Sequence, residues 1–151
     1  MCFALYSASL AMTKLYKPLL QALGLTYPQY LAMLVLWQQD NVSLVHLRER
    51  LYLDYGTLTP LIKRLEAQGL VSRVRSEDDE RQVRVRLTDH GRRLKGQASS
   101  LPIRVASATG CSAQELEQLK QQLIALRSRL HGFDLTDADP ASDPTNPEGA
   151  S

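Results

Sequence analysis

The sequence predicts a mainly α-helical fold with one small β-hairpin, arranged as a winged helix-turn-helix, and three observations predict it. Apolar residues recur at three- and four-residue steps through four successive segments up to residue 68; the period falls to two across residues 71–87; the helical step then returns from residue 88. Four helices, a hairpin and further helices, in that order, match a helix-turn-helix with an attached wing.

Each element has its own local signal. Cys2, Leu5, Ser9, Met12, Leu15 and Leu19 mark one face of a first helix running to about Ala22, which Pro18 should kink and Gly24 should end. Thr26-Tyr27-Pro28-Gln29 reads as a capping box with proline in the first turn, opening a second helix that runs to Trp37. Ser43 can cap a third helix with Leu44, Leu47 and Leu51 on one face, ending in the turn Leu53-Asp54-Tyr55-Gly56. A fourth helix from about Thr57 turns Leu58, Leu61, Ile62 and Leu65 inward, and Gly69 sits just past its end. Val71, Arg73 and Arg75, then Val83, Val85 and Leu87, alternate with their neighbours as a two-stranded hairpin around the loop 76–81. Thr88-Asp89 caps a fifth helix through about Ala106, and Ser112-Ala113-Gln114-Glu115 is a second capping box, opening a sixth helix to about Leu130.

At 151 residues and 44% apolar content the chain can bury one sizeable core. Two cysteines and no stretch of some 18 apolar residues give no disulfide framework and no membrane span, so the expected setting is the cytoplasm. The net charge of +2 hides a division: residues 131–151 hold five acids and no Lys or Arg, so residues 1–130 carry eighteen basic against eleven acidic side chains, or +7. That tail, rich in Asp, Pro, Ser and Gly, is expected to be a disordered acidic extension. A +7 body favours a polyanionic partner.

In a winged helix the second helix of the pair enters the major groove and the hairpin reaches a neighbouring groove, so double-stranded DNA is the expected partner. Thr57, Thr59, Lys63 and Arg64 lie off the apolar row of the fourth helix, while Arg73, Arg75, Arg81, Arg84 and Arg86 stud the wing. Short hydroxyls and arginines at such places suit phosphates, base edges and a narrow minor groove. Asp79, two residues before Arg81, can hold it by an ion pair and leave it pointing at DNA. An Arg-rich hairpin with an acidic loop also describes a self-compensated surface. His46, His90 and His131 are scattered and no Gly-rich phosphate loop is present, so neither metal nor cofactor is expected.

With the winged-helix order and the Asp79-x-Arg81 spacing on the wing, the chain resembles the MarR family of regulators. The strings Cys2-Phe3-Ala4-Leu5-Tyr6-Ser7, Leu25-Thr26-Tyr27-Pro28-Gln29-Tyr30-Leu31, Gly56-Thr57-Leu58-Thr59-Pro60-Leu61 and Asp79-Glu80-Arg81-Gln82-Val83 look like its organic-hydroperoxide-resistance regulators. The resemblance spans roughly residues 2–130 and implies a homodimer interlocked through helices in 1–25 and 107–130. Residues 26–106 would then be the winged-helix DNA-binding domain. It further implies repression in the reduced state, on a pseudo-palindromic operator, and derepression when an organic hydroperoxide oxidises one cysteine. By position Cys2 is the sensing thiol, and Tyr6, Tyr16 and Tyr27 are the tyrosines around it. Fourteen residues separate Cys2 from Tyr16, roughly 21 Å of helix; the resemblance implies that Tyr16 and Tyr27 come from the partner subunit. Phenol hydroxyls donating to sulfur would stabilise a thiolate, the nucleophile toward peroxide. Cys111 is either a resolving cysteine, forming an intersubunit disulfide, or a small residue ahead of a helix.

The chain departs from the family pattern in two places. Family members ordinarily have residues ahead of the sensing cysteine, which here follows Met1, and Tyr55 stands where a small residue is usual beside Asp54 and Gly56. Two alternatives to the thiol switch stay open: a MarR-type regulator controlled by a non-covalent small ligand, and a cysteine peroxidase. The peroxidase would need a dedicated acid and anion-stabilising donors that no local motif supplies.

Overall fold

The computed structural model describes residues 1–75 and 82–133. The expectations for Asp79, for Arg81 and for the tail beyond residue 133 therefore lie outside the described residues. The element order is α1 (Cys2–Gln21), α2 (Tyr27–Gln38), β1 (Val42–Ser43), α3 (Leu44–Leu51), α4 (Tyr55–Ala67), β2 (Val71–Arg75), β3 (Val83–Leu87), α5 (Asp89–Ala98), α6 (Leu101–Thr109) and α7 (Ala113–His131). Two compact units are present, residues 1–108 and the segment from Thr109 onward.

The first unit is built around α2. Its mean hydropathy is high on every side, and Tyr30, Ala32, Met33, Leu36 and Trp37 are all buried, as a helix enclosed by neighbours requires. Around it pack Leu20 and Leu25 from α1 and the following joint, Leu47 of α3, Leu58, Leu61, Ile62 and Leu65 of α4, and Val71, Val85 and Leu87 of the sheet. Each such fully buried aliphatic chain contributes about 1.5–3 kcal/mol.

The predicted caps form. Thr26 and Gln29 close a reciprocal capping box, Pro28 lies in the first turn, and Ser43, Thr88 and Ser112 each accept from a backbone N–H three residues on. The first helix runs on through Pro18 to Gln21, and Gly24, at φ +66°, makes the left-handed turn into the next.

Three expectations are corrected. The fourth helix starts at Tyr55, two residues before Thr57, because Asp54 is its cap: Asp54 Oδ1 accepts the Thr57 N–H at 2.8 Å. The fifth helix does not run to Ala106. It stops at Ala98 and a separate helix starts at Leu101, since Pro102 has no N–H to give the Ala98 carbonyl and the Ser99 hydroxyl folds back onto the Gly96 carbonyl at 2.7 Å. The hairpin is not alone: β1 adds a third strand in the order β1-β3-β2, with Val42 opposite Val85 and Ser43 opposite Arg84.

Helix α5 is fastened to α2 and to the joint between α4 and β2 by named contacts. Trp37 Nε1 donates to the Gly91 carbonyl at 2.9 Å, and Lys95 Nζ donates to the Trp37 carbonyl at 2.9 Å. A Cβ on Gly91 would lie 2.1 Å from the Leu70 carbonyl oxygen, so only glycine permits this approach. Asp40 joins the end of α2 to both the sheet and α5. Its Oδ1 accepts from Leu87 N–H at 2.8 Å and Asn41 N–H at 2.7 Å, and its Oδ2 pairs with Arg92 at 2.7 Å. Partial burial opposes ionisation of Asp40, but these donors together outweigh it and hold the carboxyl below its ordinary range.

In the second unit, α7 carries Leu116, Leu119, Leu123, Leu126 and Leu130 in alternating three- and four-residue steps. None is buried within the chain. Among the described residues no helix is long and apolar enough to cross a membrane.

Candidate functional site

The tyrosines predicted at the sensor are brought together in part. Tyr16, one and a half turns from the end of α1, meets Tyr27 in the first turn of α2 with ring centroids 4.8 Å apart, and meets Tyr30 at 5.4 Å. Tyr30 in turn packs edge-on against Trp37 at 6.2 Å. Tyr30 was missed in the sequence, although its i, i+3 spacing from Tyr27 puts both rings on one face of α2. Burial, reinforced by the neighbouring phenols of Tyr30 and Tyr27, pushes the Tyr16 hydroxyl up to about 12, and burial raises Tyr27 and Tyr30 as well. All three are therefore neutral O–H donors at physiological pH, able to give a hydrogen bond to an anion and unable to act as phenolate bases.

Cys2 and Tyr6 stand at the other end of α1. Both are exposed, together with Phe3 at 90% exposure, Leu5 and Leu10. Because α1 is continuous from Cys2 to Gln21, the rise between Cys2 and Tyr16 is indeed roughly 21 Å. Within one chain the thiol does not reach the Tyr16–Tyr27 pair. Beside that pair an open cavity of about 470 Å³ is lined by Thr13, Lys17, Leu25, Thr26, Tyr27 and Pro28 among others. Cys111 occupies the short link between α6 and α7, just after Gly110 at φ +68° and just before the Ser112 cap. It is exposed, and its thiol donates weakly to the Thr109 carbonyl at 3.6 Å.

The predicted nucleic-acid face divides by chemistry. On α4, Lys63 and Arg64 are exposed, Thr59 is half-buried, and Leu58, Leu61, Ile62 and Leu65 turn the opposite way into the core. Thr57 is exposed but its hydroxyl donates to Asp54 Oδ2 at 3.0 Å, so only its oxygen lone pairs face outward. These N–H and O–H donors hold the Asp54 carboxyl below its usual range.

Strand register separates the wing arginines onto two faces, because directly opposed residues share a face. Arg73 and Arg75 lie opposite Val85 and Val83, whereas Arg84 and Arg86 lie opposite Val74 and Ser72. Arg73 is held by Glu66 at the end of α4: its backbone N–H and Nε donate at 3.0 and 2.8 Å, and the ion pair closes at 2.7 Å. Arg84 reaches Asn41 with two bonds, Nε to Oδ1 at 3.1 Å and its terminal nitrogen to the backbone carbonyl. Arg75 and Arg86 are exposed and have no partner among the described residues. Beside the start of α4, Arg48 stacks over the half-exposed ring of Tyr55 at 5.0 Å from its centroid. Among the described residues no three His, Cys, Asp or Glu side chains gather as a metal site would need.

Comparison with known proteins bears on both faces. Residues 14–97 match the family model described as transcriptional regulator SarA/Rot. The organic hydroperoxide resistance transcriptional regulator of Bacillus subtilis (strain 168) is 49% identical over 131 residues, covering 87% of this chain and 89% of that protein. The fold is similar to that of AbfR of Staphylococcus epidermidis. Reduced AbfR bound to DNA superposes with a TM-score of 0.66 at 34% identity, covering 83% of this chain and 90% of that one. Overoxidised AbfR bound to DNA gives 0.67 at 32% identity over 85% and 90%, and AbfR with its disulfide formed gives 0.62 at 37% identity over 83% and 88%.

Proposed function

We propose, for a chain that belongs to the MarR-like SarA/Rot family of transcriptional regulators, that its reduced homodimer holds a pseudo-palindromic operator and that oxidation of Cys2 by an organic hydroperoxide releases it. The matched relatives are transcriptional regulators and not enzymes, so the peroxidase alternative is dropped. The cytoplasm, which keeps thiols reduced until an oxidant arrives, is the fitting compartment.

The observation that carries the reading is the separation, along one continuous helix, of an exposed thiol from a set of protonated phenols. Two copies of α1 packed antiparallel would bring Cys2 and Tyr6 of one protomer to Tyr16 and Tyr27 of the other. The exposed Phe3, Leu5 and Leu10 supply an apolar surface for that packing and favour a greasy hydroperoxide over hydrogen peroxide. The phenols donate to the Cys2 thiolate. The thiolate attacks the peroxide O–O bond, taking one oxygen as a sulfenic acid while the other leaves as the alcohol after protonation. The thiol of Cys111 of the partner subunit then condenses with the sulfenic acid, forming an intersubunit disulfide and water.

On DNA, α4 enters the major groove, with Thr57 and Thr59 near its start and Lys63 and Arg64 further along. Arg75 and Arg86 extend from the wing to phosphates or a narrow minor groove. Arg73 and Arg84 serve that contact by fixing the wing to α4 and to Asn41. The two reading helices of a dimer must sit about 34 Å apart, so a modest rotation between protomers breaks one half-site contact.

AbfR has been solved bound to DNA both reduced and overoxidised, and for this chain we take the disulfide, rather than oxygen added to sulfur alone, as the releasing species. Fluorescence anisotropy with an operator duplex, before and after cumene hydroperoxide, tests this. The expected result is release by the native protein, with Cys2→Ser remaining bound in oxidant and Cys111→Ser oxidised at Cys2 yet still bound. Unchanged affinity of the oxidised native protein overturns the thiol switch. A response that survives Cys2→Ser moves control to a non-covalent ligand, for which the cavity beside Tyr27 is the fitting place.

A further inference from the structure

Gln29 is a polar residue within the core, 5% exposed, and both atoms of its amide are used. Oε1 accepts the Thr26 N–H at 2.8 Å to close the capping box, and Nε2 donates to Gln68 Oε1 at 3.3 Å. Gln68 is the residue that ends α4, and its own Nε2 donates to the Gly24 carbonyl at 3.0 Å. Two side-chain amides thus clasp the α1–α2 joint to the terminus of the reading helix, 39 and 44 residues away in sequence.

The clasp stands between the two proposed activities. On one side Thr26 is followed by Tyr27, which stacks on Tyr16. On the other, Gly69 and Leu70 are all that separate Gln68 from β2, so the reading helix and the wing both diverge from this point. A cavity of about 290 Å³ runs along the same side of α4, between Thr26, Pro28 and Gln29 on one wall and Thr57, Pro60, Leu61 and Arg64 on the other. The clasp therefore ties the C-terminal end of a helix that has free space along one side.

We propose that Gln29 and Gln68 are positioning residues that couple the tyrosine cluster to the reading helix, so that a rearrangement at Tyr27 re-aims α4 through these two amides. This rests on the thiol-switch reading for its physiological input. The coupling itself is reciprocal, because whatever the sensor does to operator affinity, operator binding must do to the sensor.

Gln68→Met keeps the length of the side chain and removes both bonds from an exposed position. In the full-length variant the reduced operator affinity stays near that of the native protein, while the melting temperature falls modestly because the Gln29 amide loses its acceptor. The ratio of oxidised to reduced Kd should fall by about tenfold, within the range of ordinary allosteric couplings. Hydrogen exchange supplies a second readout that needs no oxidant: operator DNA slows exchange at residues 24–30 in the native protein and leaves it unchanged in Gln68→Met. If the native protein ignores oxidant, the thiol-switch reading fails and the clasp is judged by hydrogen exchange alone. Equal operator-induced protection in the native and variant proteins overturns the clasp, as does an undiminished Kd ratio where the native protein does respond.

Discussion

Tyr16 shows how burial sets the chemistry of one side chain. Its hydroxyl is pushed up to about 12 first by desolvation and then by the phenols of Tyr30 and Tyr27, so the native state keeps a proton that the unfolded chain gives up near pH 10. The associated stability is fully present below that pH and is lost as pH rises toward 12. Thermal melts across this range should show native stability falling steeply, with Tyr16→Phe giving a shallower decline and, at neutral pH, a modest change in melting temperature. Identical slopes would mean that Tyr16 ionises as freely in the folded protein as in the unfolded one. At neutral pH the phenol is protonated with or without that burial, the form in which it can stabilise a thiolate.

Among the elements, α5 depends most on a single missing side chain. Gly91→Ala would drive a methyl group into the Leu70 carbonyl at 2.1 Å, displacing the α5 contact with the joint between α4 and β2 and the Trp37 bond to the Gly91 carbonyl. A loss of about 1–3 kcal/mol in a denaturant melt is expected, whereas Gly96→Ala, with nothing within 4 Å of the added carbon, should be neutral or stabilising. The capped helices and the hairpin were legible in the sequence because Thr26, Ser43, Thr88 and Ser112 write their signals within four residues of the start they mark. Strand β1 was not, since two residues carry no period and only pairing with Arg84 and Val85 defines it. Asp54 was read as part of a turn when it was already the cap of α4, and Pro102 broke a helix whose apolar step continues past it. At the site, the sequence named the tyrosines at 16 and 27 through resemblance. It missed Tyr30, the division of the wing arginines between two faces, and the Gln29–Gln68 clasp, because these depend on strand register and on contacts between distant segments.

For the whole molecule the decisive surface is the one a single chain leaves uncovered. The alternating three- and four-residue spacing of Leu116, Leu119, Leu123, Leu126 and Leu130 is a two-heptad apolar seam, and none of these residues is buried within the chain. Burying a seam of this kind against a second copy is what the proposed dimer requires. Leu123→Glu, placing a charge mid-seam, should shift the protein toward monomer in sedimentation and weaken operator binding at least tenfold, as the loss of one half-site implies. A dimer of native stability in that variant would put the contact elsewhere. The strand order of the wing has one more consequence. With β3 in the centre and β1 only two residues long, β2 offers an outer edge that no strand covers among the described residues. Such an edge invites pairing with the same strand of another molecule, and positive side chains are a common deterrent. Glu66 already takes the Arg73 N–H of β2, and the charge of Arg75 guards the rest of the strand, so neutralising Arg75 to silence DNA binding risks fibrous or amorphous precipitation that has nothing to do with the operator.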